Sequence, residues 1–243
     1  MKVIVTAGGT SERIDSVRKI TNSSSGKLGL AITNEILNKH GQEVEELYYI
    51  CAKDSYKPND KKVKIVEING TSELKNEVEK LLTNETIDYF VHSMAVSDYM
   101  VSYVSTASLL AQTIKESDGS DLVEIIKNNK YTVGGAKISS YEDNLLIMLK
   151  PTPKVISVIK DLSPKTYLVG FKLLDSADED ELIQVATKLL EKNGCDLVVA
   201  NDLASIRSGN HKAFIIDKFG DRVIANGKDD IAAKLVEEMF KND

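Results

Sequence analysis

Apolar residues in this chain fall in short continuous runs, separated by stretches in which they recur every three or four positions. The runs Lys2 to Thr6, Leu47 to Ala52, Val63 to Ile68, Tyr89 to Ser93, Tyr167 to Phe171 and Asp196 to Ala200 predict strands. Helical spacing between and after them predicts helices over Lys27 to Lys39, Ser72 to Leu82, Pro153 to Lys160, Glu179 to Lys192 and Asp229 to Lys241. Strands that are continuously apolar are buried on both faces, so the pattern implies an α/β fold with a mostly parallel sheet covered by helices on either side. Near the end, Ala213 to Ile216 and Arg222 to Ala225 flank Lys218-Phe219-Gly220-Asp221, a hairpin signal that adds antiparallel strands to the sheet. The alternation breaks between about residues 102 and 149, where a helix-like piece, a turn-rich stretch and Gly134-Gly135 precede a strand-like Leu145 to Leu149. A long excursion inside a compact domain reads as a lid or interaction arm, with Gly134-Gly135 as its hinge and Lys137 as the charge it carries.

The first strand runs into Gly8-Gly9-Thr10, and Ser23-Ser24-Ser25-Gly26 opens the first helix at Lys27. Missing side chains let backbone N–H groups approach an anion, and the helix points its positive end at the same turn. Neither familiar phosphate motif fits. A P-loop needs a glycine where Thr21 stands and Ser or Thr where Leu28 stands, and the segment Gly8 to Arg13 lacks the spacing of a dinucleotide fingerprint. An ordinary capped helix after a glycine turn would show the same residues, but Arg18 and Asn22 beside it supply the cation and the two-way amide that a phosphoryl or acyl ligand requires.

A formal charge of −6 and dispersed Lys and Arg argue against a nucleic-acid surface. Cys51 and Cys195 are too few for a disulfide framework or zinc cluster and read as buried small hydrophobes. The absence of a leader-like or membrane-length apolar run leads to the expectation of a soluble, cytoplasmic protein without a membrane partner. With 243 residues, the chain is expected to form a single domain that includes the excursion.

Ligands bind at the carboxyl ends of strands in open parallel sheets. Three such ends carry polar chemistry: His92-Ser93-Met94-Ala95-Val96-Ser97-Asp98, Gly170-Phe171-Lys172 and Ala200-Asn201-Asp202. Asp98 could accept hydroxyl or amide donors or hold magnesium, Phe171 offers an aromatic wall, Lys172 a cation and Asn201 an amide, while His92 reads as a satisfied strand histidine.

In order along the chain, TAGGT, DSVRKITNSSSGKLG, MAVSDY, AKISS, LKPTPKVI, VGFKLL and VANDL resemble the phosphopantothenoylcysteine synthetases, or phosphopantothenate–cysteine ligases, of coenzyme A biosynthesis. The resemblance implies a Rossmann-like fold, a homodimer with composite active sites, and ligation through an acyl nucleotidylate. A nucleoside triphosphate activates 4′-phosphopantothenate, pyrophosphate leaves, and the amine of L-cysteine displaces the nucleoside monophosphate, with Mg2+ assisting. It also implies a short, monofunctional bacterial form.

Residue by residue, the resemblance assigns Gly8, Ser24, Gly26, Gly29, Phe171, Lys172 and Asn201 to the nucleotide. It assigns Asn22 to the acyl intermediate and the pantothenate arm, and Met94, Ala95 and Asp98 to the rest of the phosphopantothenate pocket. Arg18 matches an arginine that reaches across the dimer to the substrate phosphate, and Lys137 the first lysine of the mobile flap. Departures are the flap, where Ile138-Ser139-Ser140 stand in place of further lysines, and Met94, where a smaller Ala is usual and the pocket is expected to narrow. Lys172 follows a eukaryotic, ATP-using pattern in an otherwise bacterial-looking chain; CTP is the expected nucleotide and ATP the alternative. A nicotinamide-dependent reductase would lack its glycine fingerprint and a Tyr-x-x-x-Lys pair, and a noncatalytic nucleotide-binding regulator would leave Asn22 and Lys137 idle.

Overall fold

A computed structural model describes residues 1–117, 121–129, 132–133, 137–142 and 144–241. In chain order the elements are β1 (Lys2–Ala7), β2 (Ser11–Arg13), β3 (Lys19–Thr21), α1 (Lys27–His40), β4 (Glu46–Ala52), β5 (Val63–Ile68), α2 (Thr71–Asn84), β6 (Tyr89–His92), β7 (Tyr99–Thr106), α3 (Ala107–Glu116) and α4 (Leu122–Lys127). They continue as β8 (Leu145–Pro151), α5 (Val155–Leu162), β9 (Tyr167–Leu174), α6 (Glu179–Asn193), β10 (Leu197–Asp202), α7 (Leu203–Arg207), β11 (Lys212–Asp217), β12 (Arg222–Asn226) and α8 (Lys228–Met239). Eight strands form the central sheet in the order β12-β11-β10-β9-β6-β1-β4-β5. It is parallel except for β11 and β12, the antiparallel pair expected from the turn at Lys218–Asp221.

Alternation along each strand sends side chains to two separate cores. Val3, Val5, Tyr49, Val91 and Val199 pack with Ile32 and Ile36 of α1 and Leu235 of α8. On the other face Ile4, Ile50, Phe90 and Leu168 pack with Leu74 and Val78 of α2, Ile159 of α5 and Ala186 of α6. Fully buried side chains of this kind contribute about 1.5–3 kcal/mol each, which makes the three layers one cooperative frame for what sits on the sheet's edge. Among the described residues, no helix is long and apolar enough to cross a membrane.

Three features differ from the sequence pattern. Strands β9 and β10 run on to Leu174 and Asp202, because their parallel ladder continues through Asp202 opposite Leu174. Lys172 and Asn201 therefore stand within strands, as Phe171 does, instead of lying beyond them, and the side chains alternate between faces. The excursion begins at Tyr99 and ends at Pro151, as an antiparallel ribbon of β7 and β8 with α3 and α4 at its far end. The proposed hinge, Gly134-Gly135, lies outside the described residues. The hairpin β2–β3 leaves no pattern in the sequence, because three-residue strands are too short to show a period.

Candidate active site

Strand β1 lies between β6 and β4, so the chain leaves it toward β4 and returns on its other side at β6. Such a reversal opens a crevice at the carboxyl edge. Here the crevice is closed at its base by pairing beyond the strands. Gly9 and Ala95 form an isolated parallel bridge, the Ala95 N–H donates to the Gly8 carbonyl at 2.8 Å, and the Thr10 N–H donates to the Ala95 carbonyl at 3.1 Å. The Ser97 N–H donates to Thr10 Oγ1 at 2.8 Å, and the Asn22 N–H to the Thr10 carbonyl at 3.1 Å. These bonds join the first turn, the start of the Asn22–Gly26 segment and the Met94–Asp98 turn into one platform.

Gly8 and Gly26 adopt φ of +85° and +76°, which favours glycine, and both sit against Ser55. A Cβ at Gly8 would fall 1.9 Å from Ser55 Oγ, one at Gly29 2.6 Å from the Ala7 Cβ, and one at Gly9 1.7 Å from the Asn22 carbonyl oxygen. Gly26 brings no side chain to cap α1, and Ser25 Oγ is a marginal 3.5 Å from the Lys27 nitrogen, so the helix dipole and first-turn N–H groups face the crevice. Replacing Gly9 by Ala is expected to displace Asn22. Overpacking of about 1–3 kcal/mol would lower Tm by roughly 2–12 °C, measured by calorimetry, and an unchanged Tm would show that the platform is not close-packed.

Two clefts flank the hairpin. One, of about 90 Å³, is lined by Gly9, Asn22, Ser24, Lys53, Asp54 and Ser55, and the other, of about 140 Å³, by Arg13, Asp15, Arg18 and Lys19. Asn22 Nδ2 donates to the Val96 carbonyl at 3.0 Å, which fixes the amide while leaving Oδ1 and a second N–H for a ligand. At the hairpin tip, Asp15 accepts the N–H groups of Arg18 (2.7 Å), Val17 (2.8 Å) and Ile138 (3.2 Å), and these backbone donors hold its carboxyl below the usual range. Arg18 Nη2 donates to the Ile138 carbonyl at 3.1 Å. Ile138 is thus buried against the hairpin, and Lys137 beside it is exposed. Nothing local in the sequence signals the role of Asp15, whose partner Ile138 stands 123 positions away.

Other predicted residues are placed differently. Met94 is 7% exposed, and its side chain belongs to the core cluster of Ile4 and Phe90, which runs against the expected narrowing of the pocket by that side chain. Asp98 is exposed and ion-paired with Lys154 of the LKPTPKVI run, a pairing for which the sequence carries no local signal. Phe171 is half-buried against the α1 side of the sheet, and Asn201, two residues beyond Val199, shares that face. Lys172 belongs to the opposite face. Gly29, Phe171 and Asn201 are therefore on one side of the sheet, while Asn22, Ala95 and Asp98 gather where the first turn meets the β6 turn.

His92 Nδ1 and Thr6 Oγ1 share a hydrogen bond at 2.9 Å, and the same hydroxyl accepts the Met94 N–H at 3.3 Å. Burial pushes the imidazole down to about 4, so the fold holds it neutral. An unfolded chain binds this proton below about pH 6.5 and the folded one only near pH 4, so the group costs nothing above pH 6.5 and up to about 3 kcal/mol as pH falls to 4. Chemical denaturation of the wild type and His92→Gln across pH 4–7 should show the variant losing less stability; parallel curves would remove the imidazole as the cause. Burial likewise pushes the Cys51 thiol up to about 11 and Cys195 up to about 12, in keeping with two inert core residues.

The profile of the DNA/pantothenate metabolism flavoprotein C-terminal domain matches residues 1–131 and 127–242. The coenzyme A biosynthesis bifunctional protein CoaBC of Thermococcus kodakarensis is 34% identical over 241 residues, covering 99% of this chain and 51% of the relative. That of Methanocaldococcus jannaschii is 29% identical over 242 residues, covering 99% and 50%. The chain thus spans about half the length of these relatives. Among solved structures, the DNA/pantothenate metabolism flavoprotein from Streptococcus pneumoniae is 37% identical and superposes with a TM-score of 0.83, with all of both chains covered. A Cab2 H337A mutant in complex with phosphopantothenate-cysteine, 17% identical, shares the fold with a TM-score of 0.69 over 99% of this chain and 85% of that one. By the match along nearly its whole length, this chain belongs to the family of the DNA/pantothenate metabolism flavoprotein C-terminal domain.

Proposed function

We propose that this chain is a phosphopantothenate–cysteine ligase of coenzyme A biosynthesis that uses CTP. The observation that carries the reading is the joining of an uncapped helix N-terminus and two side-chain-free turns to an amide, Asn22, anchored on Val96 at the same platform. The N–H groups suit phosphate oxygens, and the anchored amide suits an acyl group beside them. A phosphopantothenate carboxylate oxygen attacks the α-phosphorus, and the bond to pyrophosphate breaks. The cysteine amine then attacks the acyl carbon, the bond to the nucleotide oxygen breaks, and CMP departs. Asn22 stabilises charge on the acyl oxygen in the second step, Arg18 grips the substrate phosphate, and exposed Lys137 neutralises the triphosphate.

Among the described residues no cluster of three His, Cys, Asp or Glu side chains is arranged to hold a metal. Magnesium carried in on the triphosphate would ask the protein for only one or two carboxylates. Asp54, lining the smaller cleft, is the carboxylate best placed to hold it. Bound there, magnesium supplies charge neutralisation at the phosphates.

A homodimer is part of the proposal. The ribbon exposes Tyr99, Ile147 and Leu149, an apolar surface that a second copy would cover, and Arg18 lies at the exposed hairpin beside it. Pyrophosphate release that needs both phosphopantothenate and cysteine tests the reaction. Release with CTP supports the full reading, release with ATP alone substitutes the nucleotide, and no release with either overturns it. Lys137→Gln is expected to lower turnover roughly tenfold to a thousandfold with the fold and dimer intact, since one charge on a flap is lost. Unchanged turnover in that assay would remove Lys137 from the site.

A further inference from the structure

Asn201 Oδ1 lies 3.2 Å from Nε2 of His211, and both side chains are more than nine-tenths buried. His211 stands in the connection between α7 and β11, held by its own backbone: its N–H donates to the Ser205 carbonyl at 3.2 Å, and its carbonyl accepts the Gly227 N–H at 3.0 Å. The ring's origin is therefore fixed. Its other nitrogen, Nδ1, is buried without a hydrogen-bond partner. An orphaned buried N–H is rarer in proteins than an orphaned acceptor, so the proton belongs on Nε2 and is donated to Asn201 Oδ1. Burial, with Lys228 nearby, holds the imidazole below its ordinary range and so neutral. That agrees with the geometry, because an imidazolium would leave a buried Nδ1–H unsatisfied.

An amide whose oxygen is claimed in this way has one orientation, with its NH2 turned from the histidine. Among the described residues, Asn201 Nδ2 makes no hydrogen bond, and the residue stands at the carboxyl edge on the sheet face shared by Phe171 and α1. We propose that His211 is a positioning residue, which locks the Asn201 amide so that its NH2 donates to an acceptor oxygen of the bound nucleotide. The inference rests on the nucleotide reading above and adds to it a residue ten positions away that touches no ligand.

Calorimetric titration of CTP and ATP into the wild type, His211→Leu, His211→Gln, Asn201→Ala and the His211→Leu/Asn201→Ala double variant tests it. Losing the orienting bond should weaken nucleotide binding about fivefold to thirtyfold in His211→Leu, in the range of one or two hydrogen bonds. His211→Gln, which retains a donor, should recover most of that loss, and His211→Leu should cost nothing further in the Asn201→Ala background. Equal losses in both backgrounds, or no loss in His211→Leu, would overturn the proposal alone. If the wild type binds neither nucleotide, the ligase reading falls and the proposal with it. Should His211→Leu fail to fold, nitrogen NMR of the wild-type imidazole decides: a neutral Nε2–H form at pH 7 supports the lock, and an Nδ1–H form or an imidazolium overturns it.

Discussion

Arg18→Ala and Asp98→Ala proteins should each be nearly inactive in the pyrophosphate assay, while a heterodimer of the two should recover about half of the wild-type rate. In the proposed dimer each site takes Asp98 from one copy and Arg18 from the other. A mixed pair then holds one site with both residues intact and one with neither, as closed two-fold symmetry requires. Each parent fails for its own reason: one loses a bidentate phosphate clamp that lysine could not replace, the other an acceptor in the pocket. The structure adds a constraint, since Arg18 is already tied to Ile138 of its own flap segment, so the flap and the hairpin tip should move together when a phosphate arrives. Co-expressed, doubly tagged and purified heterodimers provide the measurement. Activity no higher than that of the parents would place both residues in one subunit's site.

Asn22→Asp is expected to form the acyl nucleotidylate but to slow its reaction with cysteine roughly a hundredfold to a thousandfold, the range for losing one oxyanion donor. The amide now donates to the Val96 carbonyl at 3.0 Å; a carboxylate there would face a carbonyl oxygen with no proton to give. It would turn away from its anchor as well as fail to donate to the acyl oxygen. Mass spectrometry should show the intermediate accumulating with CTP and phosphopantothenate present. Normal turnover with no trapped intermediate would sink the role given to Asn22.

Much of the scaffold could be read directly from the chain, because its causes are local. Continuous apolar runs such as Leu47 to Ala52 mark strands buried on both faces, and the turn Lys218–Asp221 announces the antiparallel pair that follows. Gly8, Gly9 and Gly26 mark the turns at the sheet's edge for the same kind of reason: a missing side chain leaves its trace at the position where the backbone needs it. Arg18, Asn22 and Lys137 are likewise marked by their residue types beside the first turn and on the excursion, and the resemblance implies a role for each.

Pairings between distant segments could not be read in that way. That Asn22 anchors on Val96, that Asp15 collects the Ile138 N–H, that Asp98 pairs with Lys154 and that His211 holds Asn201 all follow from which strands are neighbours and where each connection returns. The side on which a residue is used is likewise a tertiary matter. Met94 matches a pocket position by resemblance, yet its side chain belongs to the core cluster of Ile4 and Phe90. Phe171 and Lys172, adjacent in sequence, part to opposite faces because β9 keeps its ladder with β10 three residues longer than its apolar run suggests. By itself the sequence determined the layers, the turns and the residue types able to meet an anion. The order of the strands decided which of those residues meet, since a hydrogen bond or ion pair depends on ångströms of separation that spacing along a chain does not encode.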